Sequence, residues 1–434
     1  MADIKIYQER RNRLAARMKM GVAIIPTATE YIRNNDTHFP FRFDSTFHYL
    51  TGFSEPESVL ILVAGDAPKS VLFCRDKDVE REIWDGFRFG PEAARETFGF
   101  DQTYSINEID DAIPTLLADQ PALFFAIGAN KEWDGRVVSW LNKVRERSRS
   151  GITAPGDIKD PRVFLDEMRL YKDETEVATL RRAAAISDVA HRSAMRCVRP
   201  GMKEYEIEAE LLYEFRRAGS QAPAYPSIVA GGANACVLHY IQNDAVLRDG
   251  DLLLIDAGCE YNGYASDITR TFPVNGKFSP IQKDVYQVVL HAQIAAIKAA
   301  KPGNEWETPH NEALKVLAQG FVDLGLCNGS VDAVIESGAY KKYYMHRTGH
   351  WLGMDVHDVG EYKTAGAWRT LQADMVFTVE PGCYIRPDKD VPEVFWNIGI
   401  RIEDDVVIRP DGCEVLTSAT PKTVEAIEEL MSHD

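Results

Sequence analysis

The sequence predicts a two-domain chain whose first domain belongs to the α/β class. Its 434 residues exceed what one hydrophobic core usually supports. Strand-like and helix-like segments alternate through the first third of the chain, which is typical of an α/β domain. A long stretch rich in Gly, Pro and Asp covers residues 150–161 and marks the boundary. We therefore expect an N-terminal α/β domain over residues 1–160 and a second domain over residues 161–434.

Apolar periodicity in the N-terminal domain predicts three helices and five strands. The helices are expected at Tyr7–Met18, Pro91–Phe98 and Asn130–Ser148. The strands are expected at Val22–Pro26, Thr46–Phe53, Ser58–Val63, Ser70–Cys74 and Ala122–Ile127. This part of the sequence has no Gly-rich phosphate loop and no cluster of ligand residues, so we look for the chemistry in the second domain.

The second domain combines predicted helices with shorter strands. The helices are expected at Val163–Leu170, Asp173–Val198, Glu204–Ala218, Pro280–Ala300 and Thr308–Leu324. Strand-like stretches cover residues 227–239, 252–271, 375–380 and 398–408. The first of these predicts strand, loop and strand, with His239 at the far end.

Composition and charge exclude several classes of protein. Hydrophobic residues make up 45% of the chain and charged residues 26%, as in an ordinary soluble globular protein. The formal net charge of −17 excludes a general nucleic-acid or anionic-membrane binder. The first residues are charged where a signal peptide needs an apolar core, and the seven cysteines are scattered. We expect a cytoplasmic protein with reduced thiols.

Residues 252–271 place two carboxylates on one predicted hairpin. The apolar run Leu252–Ile255 leads into Asp256, and the returning strand carries Asp267. A four-residue loop would set the two acids directly opposite each other. A two-residue turn at Asn262-Gly263 would shift the pairing by two, and the acids would still share a face. A solvated hairpin tip is the alternative, but the apolar run argues against it. Such a pair needs a cation between the acids or a proton on one of them.

Three histidines lie close together beside glycines, at His346, His350 and His357. The first two have the spacing of the zinc-protease helix, but Arg347 stands where that motif needs Glu. Gly349 also disfavours a helix there, so we reject that motif. Three imidazoles in one short stretch predict at least one metal ligand.

Two more apolar strands end on acids. Residues 375–379 lead into Glu380, which Pro and Gly follow. In residues 398–408 the alternation puts Arg401 and Glu403 on one face, so Arg401 is the expected partner of Glu403. A single site would explain all four acids together. Four carboxylates and an imidazole favour manganese, with cobalt, iron or zinc as alternatives, and the number of acids suits two metal ions.

This set resembles the five-ligand pattern of dinuclear metallopeptidases with the pita-bread fold (peptidase family M24), among them methionine aminopeptidases, prolidases and aminopeptidases P. The matching residues are Asp256, Asp267, His350, Glu380 and Glu403. The chain is most similar to the bacterial aminopeptidase P (Xaa-Pro aminopeptidase) branch. The similar segments are residues 46–57, 82–84, 238–240, 256–261, 263–278 and 350–360. The resemblance implies a C-terminal pita-bread domain, which is α+β with a pseudo-twofold axis.

The resemblance also implies which reaction is catalysed and how the metal ions are bound. The enzyme would hydrolyse the peptide bond between any N-terminal residue and a proline at position two. Asp267 and Glu403 would bridge two metal ions, with Asp256 on one ion and His350 and Glu380 on the other. A water shared by the two ions would be the nucleophile. Glu380 would also carry a proton to the departing proline nitrogen.

Further residues receive roles from the same resemblance. His357 would donate to the developing oxyanion, while His239 and His346 would line the leaving-proline side. Arg401 would keep the carboxylate of Glu403 ionised. The stretch Arg347-Thr-Gly349 departs from the family, whose bacterial members carry small uncharged residues there, and it would alter the rim of the pocket.

Two aromatic residues are predicted near the substrate, Tyr384 and Trp84. The resemblance implies a homo-oligomer, a dimer or a tetramer, in which the N-terminal domain helps to wall the site. Trp84 would then contact the cleft of a neighbouring subunit, although core packing is the alternative for this residue.

Other functions stay open at the level of sequence. A dipeptidase (prolidase) would use the same ligands and differ in how the site is closed. A metal-free module that only binds peptides, or a creatinase-like amidinohydrolase, would have lost ligands that this chain retains. The expected partners are peptides with proline at position two.

Overall fold

The computed structural model describes residues 4–432 and divides the chain into two compact units, Met1–Met168 and Arg169–Asp434. The division falls within the helix that follows the stretch rich in Gly and Pro. The helices are α1 (Ile4–Met18), α2 (Ser45–Thr51), α3 (Val79–Asp85), α4 (Gly90–Phe98), α5 (Ile109–Leu117), α6 (Lys131–Arg145), α7 (Arg162–Leu170), α8 (Glu174–Cys197), α9 (Glu204–Arg217), α10 (Pro280–Ala299), α11 (Glu307–Asp323), α12 (Val331–Ser337) and α13 (Val424–Met431).

The strands are short and fall into several sheets. They are β1 (Gly21–Pro26), β2 (Ile32–Asn34), β3 (Thr37–His38), β4 (Val59–Ala64), β5 (Lys69–Cys74), β6 (Gln102–Ser105), β7 (Ala122–Phe124), β8 (Asp157–Lys159), β9 (Ala222–Pro223), β10 (Ile228–Gly231), β11 (Leu252–Asp256), β12 (Cys259–Tyr261), β13 (Tyr264–Ala265), β14 (Thr269–Pro273), β15 (Lys363–Thr364), β16 (Ala367–Trp368), β17 (Val376–Val379), β18 (Gly382–Ile385), β19 (Ile398–Arg401), β20 (Asp404–Arg409) and β21 (Gly412–Val415).

The first unit is built on a six-stranded mixed sheet in the order β6-β5-β4-β1-β7-β8. β4 pairs antiparallel with both β1 and β5, and β7 pairs parallel with both β1 and β8. Apolar side chains from β1, β4 and β5 are buried with those of helices α5 and α6. The prediction of an α/β domain is confirmed.

One strand predicted in this unit is a helix. The segment Thr46–Phe53 lies mostly in α2, because Asp44 caps its start and accepts a hydrogen bond from the backbone N–H of Phe47 at 2.8 Å. Gly52 ends the helix in a left-handed conformation with φ of 65°, as glycine does at many helix C-termini. The aromatic and β-branched residues of the segment favoured a strand, but the two caps outweigh that preference.

The second unit repeats one pattern, two long helices followed by a three-stranded antiparallel sheet. Helices α8 and α9 precede the sheet β10-β11-β14, and helices α10 and α11 precede the sheet β17-β20-β21. One continuous core contains buried apolar residues from these helices and from both sheets. This arrangement agrees with the pita-bread fold that the resemblance implied.

The hairpin that carries Asp256 and Asp267 closes with the two-residue turn at Asn262-Gly263. Asn262 and Gly263 both have positive φ, 49° and 77°, so Tyr261 pairs with Tyr264. Further along, Asp256 pairs with Thr269 in the sheet formed by β11 and β14. A Cβ on Gly258 would overlap the carbonyl oxygen of Ser266, so only glycine allows the two arms to approach this closely.

The stretch 398–408 is two strands and not one. β19 pairs with β18, while β20 pairs with β17. Ile402 and Glu403 lie between them, outside both strands. The prediction of one continuous strand is wrong at this point, because the chain changes its pairing partner there.

Within residues 4–432, no helix has both the length and the apolar character needed to span a bilayer.

Candidate active site

The structure brings the five predicted metal ligands together in the second unit. Asp256 is the last residue of β11, Asp267 precedes β14, and Glu380 follows β17 directly. Glu403 lies in the break between β19 and β20, and His350 lies in the loop before Trp351, which bridges to Phe377 of β17. Each ligand therefore stands at the end of a buried strand or in a loop tied to one, which fixes its backbone without using the side chain.

The ligand atoms are close enough to share a cation. Atoms of Asp267, His350 and Glu403 lie within 4.8 Å of one another. Nε2 of His350 is 3.5 Å from Oδ2 of Asp267 and 3.8 Å from Oε1 of Glu380. A Cβ on Gly349 would overlap the carbonyl oxygen of Thr378, so glycine permits the approach of the histidine segment to β17.

The acids of this cluster bring together more negative charge than Arg401 and His350 neutralise. Burial raises the pKa of Asp267, and the negative charge of Asp256 raises it further. Burial, together with the charges of Asp267 and Glu380, raises the pKa of Glu403 well above its ordinary value. Burial also raises the pKa of Glu380 to about 7, against the opposing effect of His350. Burial lowers the pKa of His350, but its hydrogen bond to Asp267 and the charge of Glu380 outweigh that and raise it to about 9.

A divalent cation fits this donor set on physical grounds. Carboxylates that are buried and repel one another hold protons that a bound cation would replace. Four carboxylates with one imidazole suit hard divalent ions, which prefer oxygen ligands. The residues present therefore fit a metal centre.

Arg401 does not pair with Glu403, which corrects the sequence expectation. Its guanidinium donates to Oδ2 of Asp256 at 2.6 Å, to the Tyr384 hydroxyl at 2.9 Å and to Oγ1 of Thr269 at 3.2 Å. The strand ends at Arg401, so the alternation that placed Arg401 and Glu403 on one face is interrupted. Glu403 instead accepts from Oγ1 of Thr269 at 2.6 Å.

The pairing with Arg401 distinguishes Asp256 from the other acids. Burial raises the pKa of Asp256, but the charge of Arg401 and hydrogen bonds from Tyr225 and Arg401 outweigh it, so the pKa lies below its ordinary value. The Tyr225 hydroxyl lies 2.6 Å from Asp256 and also against Asp267. Its single proton is thus shared between two ligand carboxylates. The sequence interpretation missed Tyr225, which precedes a proline in a loop without a recognisable motif.

A chain of hydrogen bonds orients His346. Nδ1 of His346 lies 2.7 Å from the carbonyl oxygen of Arg347, and a carbonyl only accepts, so Nδ1 carries the proton. Nε2 therefore accepts from the Tyr384 hydroxyl at 2.8 Å, and that oxygen in turn accepts from Arg401 at 2.9 Å. Burial lowers the pKa of His346 to about 3, and the charge of Arg401 contributes. Tyr384 thus lies behind the site and orients a neutral imidazole.

The other two predicted histidines face the same cavity. His357 is exposed and packs edge-on against His350, with the ring centroids 4.3 Å apart. Partial desolvation of its ring by the neighbouring groups lowers its pKa, and the charge of His350 lowers it further. The predicted second strand does not form: β10 is followed by a 3-10 turn over Gly232–Cys236, and His239 lies in the irregular loop beyond it.

The ligands form the floor of a cavity of about 1080 Å³. Its walls include His239, His346 and His357. They also include the apolar residues Ile228, Leu238 and Ile241. Other lining residues that sequence reasoning did not single out are Pro226, Trp306, Val356, Tyr362, Lys363 and Trp368. None of them has a sequence signal beyond being aromatic, apolar or basic.

Trp84 belongs to the N-terminal unit, on helix α3, where it is 83% exposed. It is not packed in a core, so the alternative of core packing does not hold for this residue. Val79, Ile83 and Phe87 are exposed beside it in the sequence. Together these residues, Val79, Ile83, Trp84 and Phe87, form an exposed apolar segment.

Comparison with known proteins matches both parts of the chain. The model of metallopeptidase family M24 covers residues 178–410, and that of the aminopeptidase P N-terminal domain covers residues 7–124. The Xaa-Pro aminopeptidase of Escherichia coli K12 is 46% identical over 428 residues, which is 98% of this chain and 97% of its own. The Xaa-Pro aminopeptidase 3 of Mus musculus is 33% identical, over 95% of this chain and 80% of its own.

Solved structures agree with these relatives. The structure of Pseudomonas aeruginosa aminopeptidase PepP has a TM-score of 0.98 and 50% identity, covering 99% of this chain and 98% of that one. Zinc-substituted E. coli aminopeptidase P in complex with product has a TM-score of 0.97 and 45% identity, with the same coverage. The chain therefore belongs to metallopeptidase family M24, with an aminopeptidase P type N-terminal domain and a C-terminal pita-bread domain.

Proposed function

We propose that this metallopeptidase is an Xaa-Pro aminopeptidase, which releases the N-terminal residue of a peptide whose second residue is proline. The observation that carries the proposal is the convergence of four carboxylates and His350 at the floor of a cavity that three further histidines line. The similarity to Xaa-Pro aminopeptidases over almost the whole chain supports the same reaction.

The five ligand residues, Asp256, Asp267, His350, Glu380 and Glu403, would hold two divalent cations. The oxygen-rich donor set supports manganese ahead of cobalt, iron or zinc. When bound, the cations would polarise the scissile carbonyl and activate water as the nucleophile.

Side chains of the protein would transfer the proton, stabilise the oxyanion and orient the other groups. Glu380, at the edge of the ligand cluster next to His346 and His350, would pass a proton to the departing proline nitrogen. His357 would donate from its exposed imidazole to the developing oxyanion. Arg401 and Tyr384 would act indirectly, since the first holds Asp256 ionised and the second fixes the orientation of His346.

Selectivity for proline follows from the chemistry of the bond. The bond before proline is a tertiary amide without an N–H, so the site cannot use the backbone donor that most peptides offer. The cavity offers apolar Ile228, Leu238 and Ile241 beside His239 and His346, which suits a compact apolar ring.

A dipeptidase is the alternative that uses the same ligands. Such an enzyme must match the proline carboxylate with a cation inside the pocket. Of the basic side chains that line the cavity, Arg401 is bound to Asp256 and Arg347 to Glu307. The third, Lys363, stands on the exposed hairpin β15–β16. This arrangement favours an aminopeptidase, whose site stays open for the continuing chain.

The experiment compares kcat/KM for Ala-Pro-Ala and Ala-Pro with manganese supplied, and Ala-Ala-Ala as the control for the proline requirement. We expect the tripeptide with proline to be cleaved after its first residue and much faster than the dipeptide. Preference for Ala-Pro would make the protein a dipeptidase. Equal cleavage of Ala-Ala-Ala would contradict selectivity for proline.

Two further properties belong to the same proposal. The exposed apolar segment supports a homo-oligomer, a dimer or a tetramer, because a large exposed apolar surface marks an interaction site. All seven cysteines are free thiols, which supports a cytoplasmic location with a reducing environment. Sedimentation of the pure protein and fractionation of its natural cells would test these two points.

A further inference from the structure

The loop between β10 and β11 supplies one wall of the cavity. Its first part, residues 232–245, places Leu238, His239 and Ile241 on the lining. Its only regular structure is the 3-10 turn over Gly232–Cys236. The orientation of the His239 ring therefore depends on how this loop is held.

One buried carboxylate holds the loop at several points. Glu204, in the first turn of α9, is 0% exposed. Its Oε1 accepts from the backbone N–H of Gly231 at 2.8 Å and from the amide of Asn234 at 3.0 Å. Its Oε2 accepts from the Tyr240 hydroxyl at 2.7 Å and from the backbone N–H of Ala245 at 2.9 Å. Both ends of this first part of the loop, and the residue next to His239, thus bind to one side chain.

Only a carboxylate satisfies these four partners. An ionised carboxylate accepts about four hydrogen bonds and donates none. All four groups that face Glu204 are donors. Burial raises the pKa of Tyr240 to about 12, with contributions from the hydrogen bond to Glu204 and its charge, so the phenol remains a donor. A glutamine would turn its own N–H2 toward the backbone N–H of either Gly231 or Ala245, which can only donate, and release that part of the loop.

We infer that Glu204 is a positioning residue for His239. Its carboxylate fixes the loop that places the imidazole on the lining of the cavity that the metal ligands also line, and Glu204 itself is not among the lining residues. The inference rests on the proposed function, because that function assigns His239 to the leaving-proline side. A displacement of about 1 Å at such a group can reduce turnover by ~10²-fold.

The test is a double-mutant cycle on the full-length, manganese-loaded enzyme with Ala-Pro-Ala as substrate. The variants are Glu204→Gln, His239→Ala and the double variant, with metal content and melting temperature measured for each. The control is Glu214→Gln, since Glu214 is another buried glutamate on α9 and pairs with Arg217 of the same helix at 3.1 Å. It is not among the residues that line the cavity.

We expect Glu204→Gln to lower kcat/KM by at least ~10-fold with full metal content, and to have almost no further effect once His239 is alanine. Glu214→Gln should leave kcat/KM unchanged. The inference is overturned if the losses from Glu204→Gln and His239→Ala multiply, or if Glu204→Gln is fully active. If Glu204→Gln does not fold, Tyr240→Phe removes one donor and must show the same dependence on His239. Failure of the wild type to cleave Ala-Pro-Ala would instead refute the proposed function.

Discussion

The buried ion pair between Arg401 and Asp256 gives the sharpest prediction. Arg401 is only 3% exposed, and its guanidinium donates to Asp256 at 2.6 Å. Replacing it by methionine preserves much of the side-chain volume but leaves a buried carboxylate without its counter-charge. Removing one partner of a buried pair typically costs ~3–5 kcal/mol. At ~2–4 °C per kcal/mol for a domain of this size, the melting temperature of the metal-free protein should fall by ~6–20 °C.

Bound manganese should stabilise this variant less than the wild type, because Arg401 no longer holds Asp256 in place for the cation. We also expect the affinity for manganese to fall by ~10–100-fold, the usual effect of removing a group that supports a metal ligand. Calorimetric melting with and without manganese, together with a titration of the metal, measures both quantities.

The matched control is Arg181→Met. Arg181 pairs with Glu414 at 2.6 Å with similar geometry, but both side chains are over one third exposed. An exposed pair is worth ~0–1 kcal/mol, so its loss should lower the melting temperature by at most ~4 °C. If Arg401→Met behaves like this control and binds manganese normally, the proposed role of the buried pair is wrong.

Three further variants test separate parts of the site. Asp267→Asn should abolish turnover and at least one equivalent of metal after gel filtration, and full activity with two metal ions would contradict its role as a shared ligand. His357→Ala should retain its metal content and lose ~10²–10³-fold in kcat, whereas a collapse of the metal content would make it a ligand. Trp84→Ala should weaken the oligomer in sedimentation, and a fully active wild-type monomer would remove the basis for that expectation.

The convergence of the candidate ligands could be predicted in part from local signals in the sequence. Asp256 and Glu380 each end an apolar run, and a carboxylate at the end of a buried strand needs a counter-charge whatever the rest of the fold is. The apolar periodicity likewise predicted most helices of both units. Their ends were right to within a few residues.

The partners of the ligands could not be predicted in the same way. Tyr225 reaches Asp256 through a loop, and Arg401 reaches it from a strand far along the chain. Both contacts depend on which strands become neighbours, and alternation within one strand does not contain that information. The break in the strand at Glu403 also depends on the pairing of strands. Because of it, Arg401 and Glu403 do not share one strand face as the alternation predicted. Helix α2 was missed for a different reason, because Asp44 and Gly52 cap a segment whose aromatic and β-branched residues favour a strand.

Gly258 and Gly349, the two glycines beside the ligands, affect the shape of the site and not its chemical groups. At Gly258 and Gly349 the backbone of a neighbouring segment occupies the place of a side chain. A related chain that kept both glycines and lost the carboxylates would still fold its strands into the same cavity, and would be a receptor without a metal centre. A chain that kept every carboxylate but gained side chains at both glycines would hold its donors apart. Activity in this fold can therefore disappear without any change in the ligands, and an inventory of ligand residues alone would not reveal it.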